Sequence, residues 1–194
     1  MRIIGGSAAG RLLKAPKGFA VRPTPDLVKQ AVFNRLGAGV VGARVLELFA
    51  GSGALGLECL SRGADSVVAV EKTPRHAAFI RENLAALGLP ADRYELRTQD
   101  VFAALPQLIA AGRQFDLILA DPPFGEKNIG RRSDSLSQQL LDHPELPRLL
   151  AGEGWFVLGH TQRDTLTLTA GWIEEKRMRH GDSVMWFLRA AVAV

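Results

Sequence analysis

A chain of 194 residues, 47% hydrophobic and 23% charged, is long enough for one domain with a full core and lacks any apolar run near the ~18 residues of a membrane span. Its one cysteine, Cys59, excludes an internal disulfide and a cysteine-based zinc site. The start, Met-Arg-Ile-Ile-Gly-Gly, has no secretory pattern, so a cytoplasmic location is expected. The net charge of +4 is uneven: Arg2, Arg11, Lys14, Lys17, Arg22, Lys29 and Arg35 face only Asp26 in the first 35 residues, which points either to a polyanionic partner or to a solvated basic face.

Residues 1–14 read as two short strands around Gly5-Gly6 and Gly10, and residues 15–25 as a loop rich in Pro and Gly. Asp26 caps or opens a helix to about Leu36, with Leu27, Ala31, Val32 and Leu36 as its apolar positions. Strand and helix then alternate. Strands are expected at Arg44–Phe49, Ser66–Glu71, Tyr94–Thr98, Phe115–Ala120 and Trp155–His160. Helices are expected at Ala54–Arg62, Pro74–Leu87, Val101–Ala111 and, interrupted by Pro144 and Pro147, Ser133–Leu150. The last two strands, Trp172–Arg179 and Ser183–Arg189, meet at His180-Gly181-Asp182 in a tight turn, making an antiparallel hairpin.

Such alternation predicts an α/β fold with a seven-stranded, mostly parallel sheet and a reversed C-terminal hairpin. Residues 1–36 are read as a basic extension and 37–194 as the main domain. Ligands of such sheets sit beyond the carboxyl ends of the strands. The segments there are Glu47–Gly53, Glu71–Thr73, Gln99-Asp100 and Asp121–Phe124.

Gly51-Ser52-Gly53-Ala54-Leu55-Gly56 fits a dinucleotide fingerprint, and Glu71 stands where that fold keeps its ribose acid, so an NAD-type oxidoreductase is one reading. Against it, Glu47 places negative charge beside a turn that would have to hold a pyrophosphate. An acid there suits S-adenosylmethionine, whose amino-acid part is cationic and which has no phosphate. Glu47, Phe49, Gly51, Ser52, Gly53, Glu71, Asp100 and Asp121 are the expected cofactor-binding residues: Glu71 for the ribose, Asp100 for the adenine amine or as a helix cap.

Asp121-Pro122-Pro123-Phe124 ends the fourth strand. The prolines fix the chain direction and leave the Pro122 carbonyl without a local partner; Asp121 is a second acceptor and Phe124 a flat stacking face. Two acceptors gripping an exocyclic amine would aim its lone pair at an electrophilic methyl group, without need of a metal. A paired base must leave its stack to reach such a pocket. The tetrapeptide alone does not separate adenine, cytosine and guanine, or DNA from RNA. A DNA adenine-N6 or cytosine-N4 methyltransferase would carry the same motif. A non-enzymatic RNA-binding protein would account for the basic segment and leave the motif unexplained.

Further stretches narrow the match: Arg2–Gly6 with Gly10-Arg11, Arg22-Pro23-Thr24 followed by Asp26, Val32-Phe33-Asn34, and Phe49–Glu58 followed by Ser61–Ala64. With the two motifs they resemble the RsmD family, class I S-adenosylmethionine-dependent methyltransferases acting on guanine N2 of bacterial small-subunit ribosomal RNA. The resemblance implies 16S ribosomal RNA as partner, in an assembling subunit. It places Arg22, Pro23 and Thr24 near the pocket. A monomer is expected. Arg11, Lys14, Arg22, Thr24 and Arg131 are the expected substrate-binding residues, Arg131 being equally readable as a solubility residue. Residues 127–134 read as a lid over the base, Cys59 as core, and the four histidines as too scattered for a metal site.

Overall fold

The computed structural model describes residues 1–15, 24–123, 127–128 and 131–191. Helix α1 (Asp26–Leu36) leads into the alternating units β1 (Arg44–Leu48), α2 (Ala54–Ser61), β2 (Ser66–Val70), α3 (Pro74–Leu87), β3 (Tyr94–Arg97), α4 (Val101–Ala110) and β4 (Phe115–Ala120). Then come α5 (Leu136–Asp142), β5 (Leu150–Thr161), β6 (Trp172–His180) and β7 (Ser183–Ala190). The strands form one seven-stranded sheet in the order β3-β2-β1-β4-β5-β7-β6. Strands β1 to β5 run parallel, β7 runs antiparallel to β5, and β6 returns antiparallel to β7, as the hairpin signal required.

Strand alternation splits the core between the two sheet faces. Val45, Leu117, Leu119, Val157 and Phe187 meet α1, α2 and α3 on one face. Leu46, Ile118, Leu158, Trp186 and Leu188 meet α4 and α5 on the other. Cys59 is fully buried in the first cluster. Edge strand β6 is largely exposed and carries Glu174, Glu175, Lys176, Arg177 and Arg179, charges that disfavour pairing with another chain. No helix among the described residues is long and apolar enough to cross a membrane.

Three expectations need correction. The two N-terminal strands pair only briefly, at the antiparallel bridge of Arg2 with Leu12 and through Ile3 N–H to the Arg11 carbonyl, Gly10 N–H to the Ile3 carbonyl and Leu13 N–H to the Met1 carbonyl; between them the chain turns to α2, where Ser7 N–H donates to the Ser61 carbonyl, and Ile4 and Gly5 N–H to the Glu58 carboxylate. In α1 Val32 and Leu36 are buried as expected, joined by Val28, Lys29 and Phe33, whereas Leu27 points outward at 66% exposure and Ala31 is only partly covered. Of the two places expected for Asp26, the structure takes the first turn; its side chain makes no capping bond. The expected long helix over Ser133–Leu150 shrinks to α5, followed by a short 3-10 helix, Leu146–Leu149, with Pro144 in the break between them and Pro147 inside the second.

Lys29 is fully buried. It donates to the Arg2 carbonyl and lies 3.8 Å from Glu58 and 3.6 Å from Asp26. Glu58 also takes the Arg62 guanidinium at 2.8 Å. This network binds the first residues of the chain to α1 and to α2, the helix that follows the glycine turn.

Candidate active site

The sheet reverses its order between β1 and β4, and the carboxyl ends of these strands open a cleft. It is lined by Thr24, the backbone segment 47–52, Ala54, Leu55 and Asp121. The turn after β1 is tightly wound: Phe49, a non-glycine residue, sits at φ 58°, and Gly51 and Gly53 at 57° and 76°. A left-handed Phe is strained, and such strain persists where surrounding structure imposes it. Here Gly51 N–H donates to Glu71 Oε2 at 2.7 Å, Gly53 N–H to the Ala50 carbonyl, and Asn83 Nδ2 to the Ser52 carbonyl at 3.1 Å.

Glu47 lines the cleft but is only 2% exposed. Its Oε1 accepts from Leu55 N–H at 3.1 Å, at the start of α2, and Tyr94 Oη lies 3.4 Å from Oε2. Gly56 makes this possible, since a Cβ there would fall 2.6 Å from Glu47 Oε2. Burial lifts the Glu47 carboxyl from 4.5 to about 8, against the opposing pull of the Gly56 and Leu55 N–H groups and Tyr94. The folded chain thus holds a proton that the unfolded chain releases at lower pH. The stability tied to Glu47 is fully present below pH 4.5 and is lost as pH rises toward about 8. Glu47→Gln is expected to flatten this decline, by on the order of a few kcal/mol at the alkaline end. Melting curves of both proteins between pH 5 and 9, without cofactor, check it; parallel curves would contradict it.

Glu71 ends β2 with both oxygens engaged: Oε2 by Gly51 N–H and Oε1 by Thr73 N–H at 2.8 Å, with His76 Nδ1 3.4 Å from Oε1. Each oxygen keeps a further lone pair for a ligand hydroxyl. Asp100 caps α4 through Phe102 N–H at 2.9 Å and pairs with Lys72 at 3.2 Å.

Asp121 follows β4 and is half-buried. Thr24 Oγ1 donates to its Oδ2 at 2.5 Å, joining the segment before α1 to the end of β4. Burial raises the Asp121 carboxyl above its ordinary 3.8, and the Thr24 bond offsets part of the rise. The room for Asp121 comes from Gly159 on β5, where a Cβ would lie 2.2 Å from Asp121 Oδ1. Pro122 is buried, and its carbonyl accepts no hydrogen bond among the described residues.

The structure therefore brings Thr24, Glu47, Phe49, Gly51, Ser52 and Asp121 to one cleft, with Glu71 tied to its floor through Gly51. Arg22, Pro23, Lys17 and Phe124 lie outside the described residues, as does part of the expected lid. Within that lid, Asn128 is buried and clasps Thr165, donating to its carbonyl at 3.0 Å and accepting from its N–H at 2.8 Å. Arg11 and Lys14 stand apart from the cleft. Arg11 caps the end of α3, donating to the Leu87 and Ala86 carbonyls at 2.7 and 2.6 Å, and Lys14 pairs with Glu82 at 2.9 Å. Arg131 is exposed. Among the described residues no group of three or more His, Cys, Asp or Glu could hold a metal ion.

The sequence pattern did not single out Gly159, Tyr94 or Asn83. Only Gly159 carried a signal, a glycine inside a strand, which often marks a close approach.

The family model described as "Conserved hypothetical protein 95" matches residues 1–189. The candidate rRNA methyltransferase YlbH of Bacillus subtilis (strain 168) is 35% identical over 171 residues, 88% of each chain. Ribosomal RNA small subunit methyltransferase D of Escherichia coli (strain K12) is 38% identical over 124 residues, 64% of this chain and 60% of that one. Among solved structures, the candidate methyltransferase YhhF from Escherichia coli superposes with a TM-score of 0.79 at 30% identity, over 98% of this chain and 97% of its own. With these likenesses running the length of a sheet whose cleft joins the glycine turn to Asp121, the chain belongs to the RsmD family of class I methyltransferases.

Proposed function

We propose that this protein transfers a methyl group from S-adenosylmethionine to the exocyclic N2 amine of one guanine in 16S ribosomal RNA. The observation that carries the reading is Asp121. It is held by Thr24 at the end of β4, faces the glycine turn across one cleft, and stands beside the Pro122 carbonyl, which has no partner among the described residues. Ribosomal RNA as substrate rests on the YlbH and methyltransferase D relatives, and guanine N2 on the family motifs.

The donor set fits the cofactor. The cleft is lined by the glycine-turn residues and the Asp121 carboxyl, with no Lys or Arg among its described lining residues, which suits a cationic sulfonium amino acid. The methyltransferase relatives take the place of the NAD-type reading. The Phe49–Gly53 backbone with Glu47 would hold the amino-acid end, Glu71 the ribose hydroxyls and Asp100 the adenine amine. When bound, S-adenosylmethionine supplies an electrophilic methyl group. Asp121 and the Pro122 carbonyl accept the two N–H groups of the target amine and fix the direction of its lone pair. The Asp121 carboxylate offsets the positive charge developing on nitrogen, and its raised pKa makes it a better proton acceptor than an ordinary aspartate.

Residues 1–36 serve as the RNA-binding extension of a methyltransferase domain spanning 37–194. The enzyme works as a cytoplasmic monomer on assembling small subunits. Arg11 already caps α3, so Lys14 and Arg131 are the cleaner probes of the interface. Lys14→Gln with Arg131→Gln is expected to weaken RNA binding and to reduce the slope of log affinity against log salt by roughly 0.7–0.9 for each phosphate no longer neutralised. An unchanged slope would remove both residues from the interface.

Label transfer from methyl-labelled S-adenosylmethionine tests the proposal, with duplex DNA, naked ribosomal RNA and small subunits lacking the modification offered in parallel. Incorporation into RNA or subunits is expected. Incorporation into DNA alone would replace the reading with a DNA amino-methyltransferase.

A further inference from the structure

A second cavity, of about 190 Å³, lies on the opposite sheet face from Asp121, where the 162–166 segment folds over the ends of β5, β6 and β7. It is lined by His160, Gln162, Asp164, Thr165, Arg177 and Arg179, together with apolar Leu166 and Val184. Asp164 is 1% exposed, yet neither of its carboxylate oxygens accepts a hydrogen bond from any described residue. His160, 7% exposed, leaves Nε2 without a partner among the described residues. Its Nδ1 faces the Thr161 carbonyl at 2.9 Å and must donate to it, so Nε2 of the neutral ring is an acceptor. Burial lowers the His160 pKa and favours that neutral form.

A buried carboxylate without partners is costly to a fold, and a bound donor is one explanation for a group left in that state. The cavity presents acceptors inside, so its ligand must be rich in N–H donors. A bare cation fits poorly, because Arg177 and Arg179 line the same cavity. Arg177 is held by Glu174 at 2.8 Å and lies over Trp186, so the guanidinium that suits a phosphate is that of Arg179. One chemical class offers both parts: a guanine nucleotide, whose N1–H and N2–H form the adjacent donor pair that a carboxylate accepts bidentately. Adenine, cytosine and uracil have no such pair.

We propose that this cavity is a second nucleotide subsite, in which Asp164 reads the N1–H and N2–H edge of a guanine in the RNA while Arg179 holds its phosphate. The subsite rests on the RNA reading above and places a guanine other than the methylated one. Asn128 couples it to the catalytic segment through its clasp on Thr165, next to Asp164.

Trp186 is a built-in reporter: its buried indole N–H is unpartnered among the described residues, its ring lies 6.0 Å from His160, and the Arg177 guanidinium sits 4.0 Å over it. Nuclear magnetic resonance of the full chain, titrated with guanosine, adenosine, cytidine and uridine 5′-monophosphates and with inorganic phosphate, tests the subsite. Guanosine monophosphate is expected to shift the Trp186 indole and His160 ring signals, and the others to do so far more weakly. Asp164→Asn should weaken guanosine monophosphate at least about tenfold, since a charged acceptor pair is removed. Arg179→Gln should weaken it too, with the melting temperature held. Equal response to the adenine nucleotide or to phosphate alone, no response at Trp186, or undiminished binding by Asp164→Asn would overturn the subsite. Label transfer to small subunits in the same preparations separates the two ideas: transfer without a Trp186 response sinks the subsite alone, and absence of transfer sinks the RNA reading on which it rests.

Discussion

Asp121→Ala is expected to lower the rate of methyl transfer by roughly two to three orders of magnitude, with little change in cofactor affinity. The alanine removes one of two acceptors that hold the target amine, and it also removes the negative charge beside the nitrogen as that atom becomes cationic. The cofactor contacts assigned to the glycine turn and Glu71 do not involve the Asp121 side chain. Calorimetry of cofactor binding and single-turnover transfer give the two quantities separately. A fall in affinity as large as the fall in rate would assign Asp121 to the cofactor instead. The pH profile supplies a second check. Transfer needs the ionised carboxylate, and burial raises its pKa while Thr24 pulls it down. Activity should therefore fall off on acidification at a higher pH than for an ordinary aspartate, and Thr24→Val should move that limb to still higher pH.

Gly159→Ala is the second large effect. The added Cβ would lie 2.2 Å from Asp121 Oδ1 and 3.3 Å from its Cα, so the carboxylate or the end of β4 must shift. A displacement near 1 Å at the reacting centre costs about a hundredfold in rate, and that is the expected loss. Gly159 pairs with Met185 through the backbone, which alanine can do equally well, so the protein should remain folded and bind cofactor. The measurement is kcat alongside cofactor affinity and melting temperature. Full activity would show that Asp121 has slack in its position.

The α/β alternation was legible because buried parallel strands are short continuous apolar runs, and β4 and the helices α1 and α3 fall where the sequence puts them. The terminal hairpin was legible from Gly181-Asp182 between two β-rich runs. Less legible were elements whose backbone groups find partners far away in the chain. The N-terminal residues look like a hairpin and do pair around Arg2 and Leu12, but their turn bonds to Ser61 and Glu58, more than 50 positions on. Long-range side-chain pairing was equally hidden. Glu47 reads as a free strand-end acid, yet it is enclosed by Tyr94, Gly56 and Leu55. The link from Thr24 to Asp121 spans 97 positions, and only the family resemblance put Thr24 near the pocket. Asp164 and His160 carry no local pattern at all; their lack of partners emerges only when three strands and a connecting segment close around them.

The central claim is amine methylation of guanine in small-subunit RNA, and the identity of the product nucleoside tests it most directly. Small subunits lacking the modification, methylated by this protein with labelled S-adenosylmethionine, are digested to nucleosides and separated by chromatography with mass detection. All label is predicted to run as N2-methylguanosine. Label in N6-methyladenosine, in N4-methylcytidine or in a ribose-methylated nucleoside would contradict it.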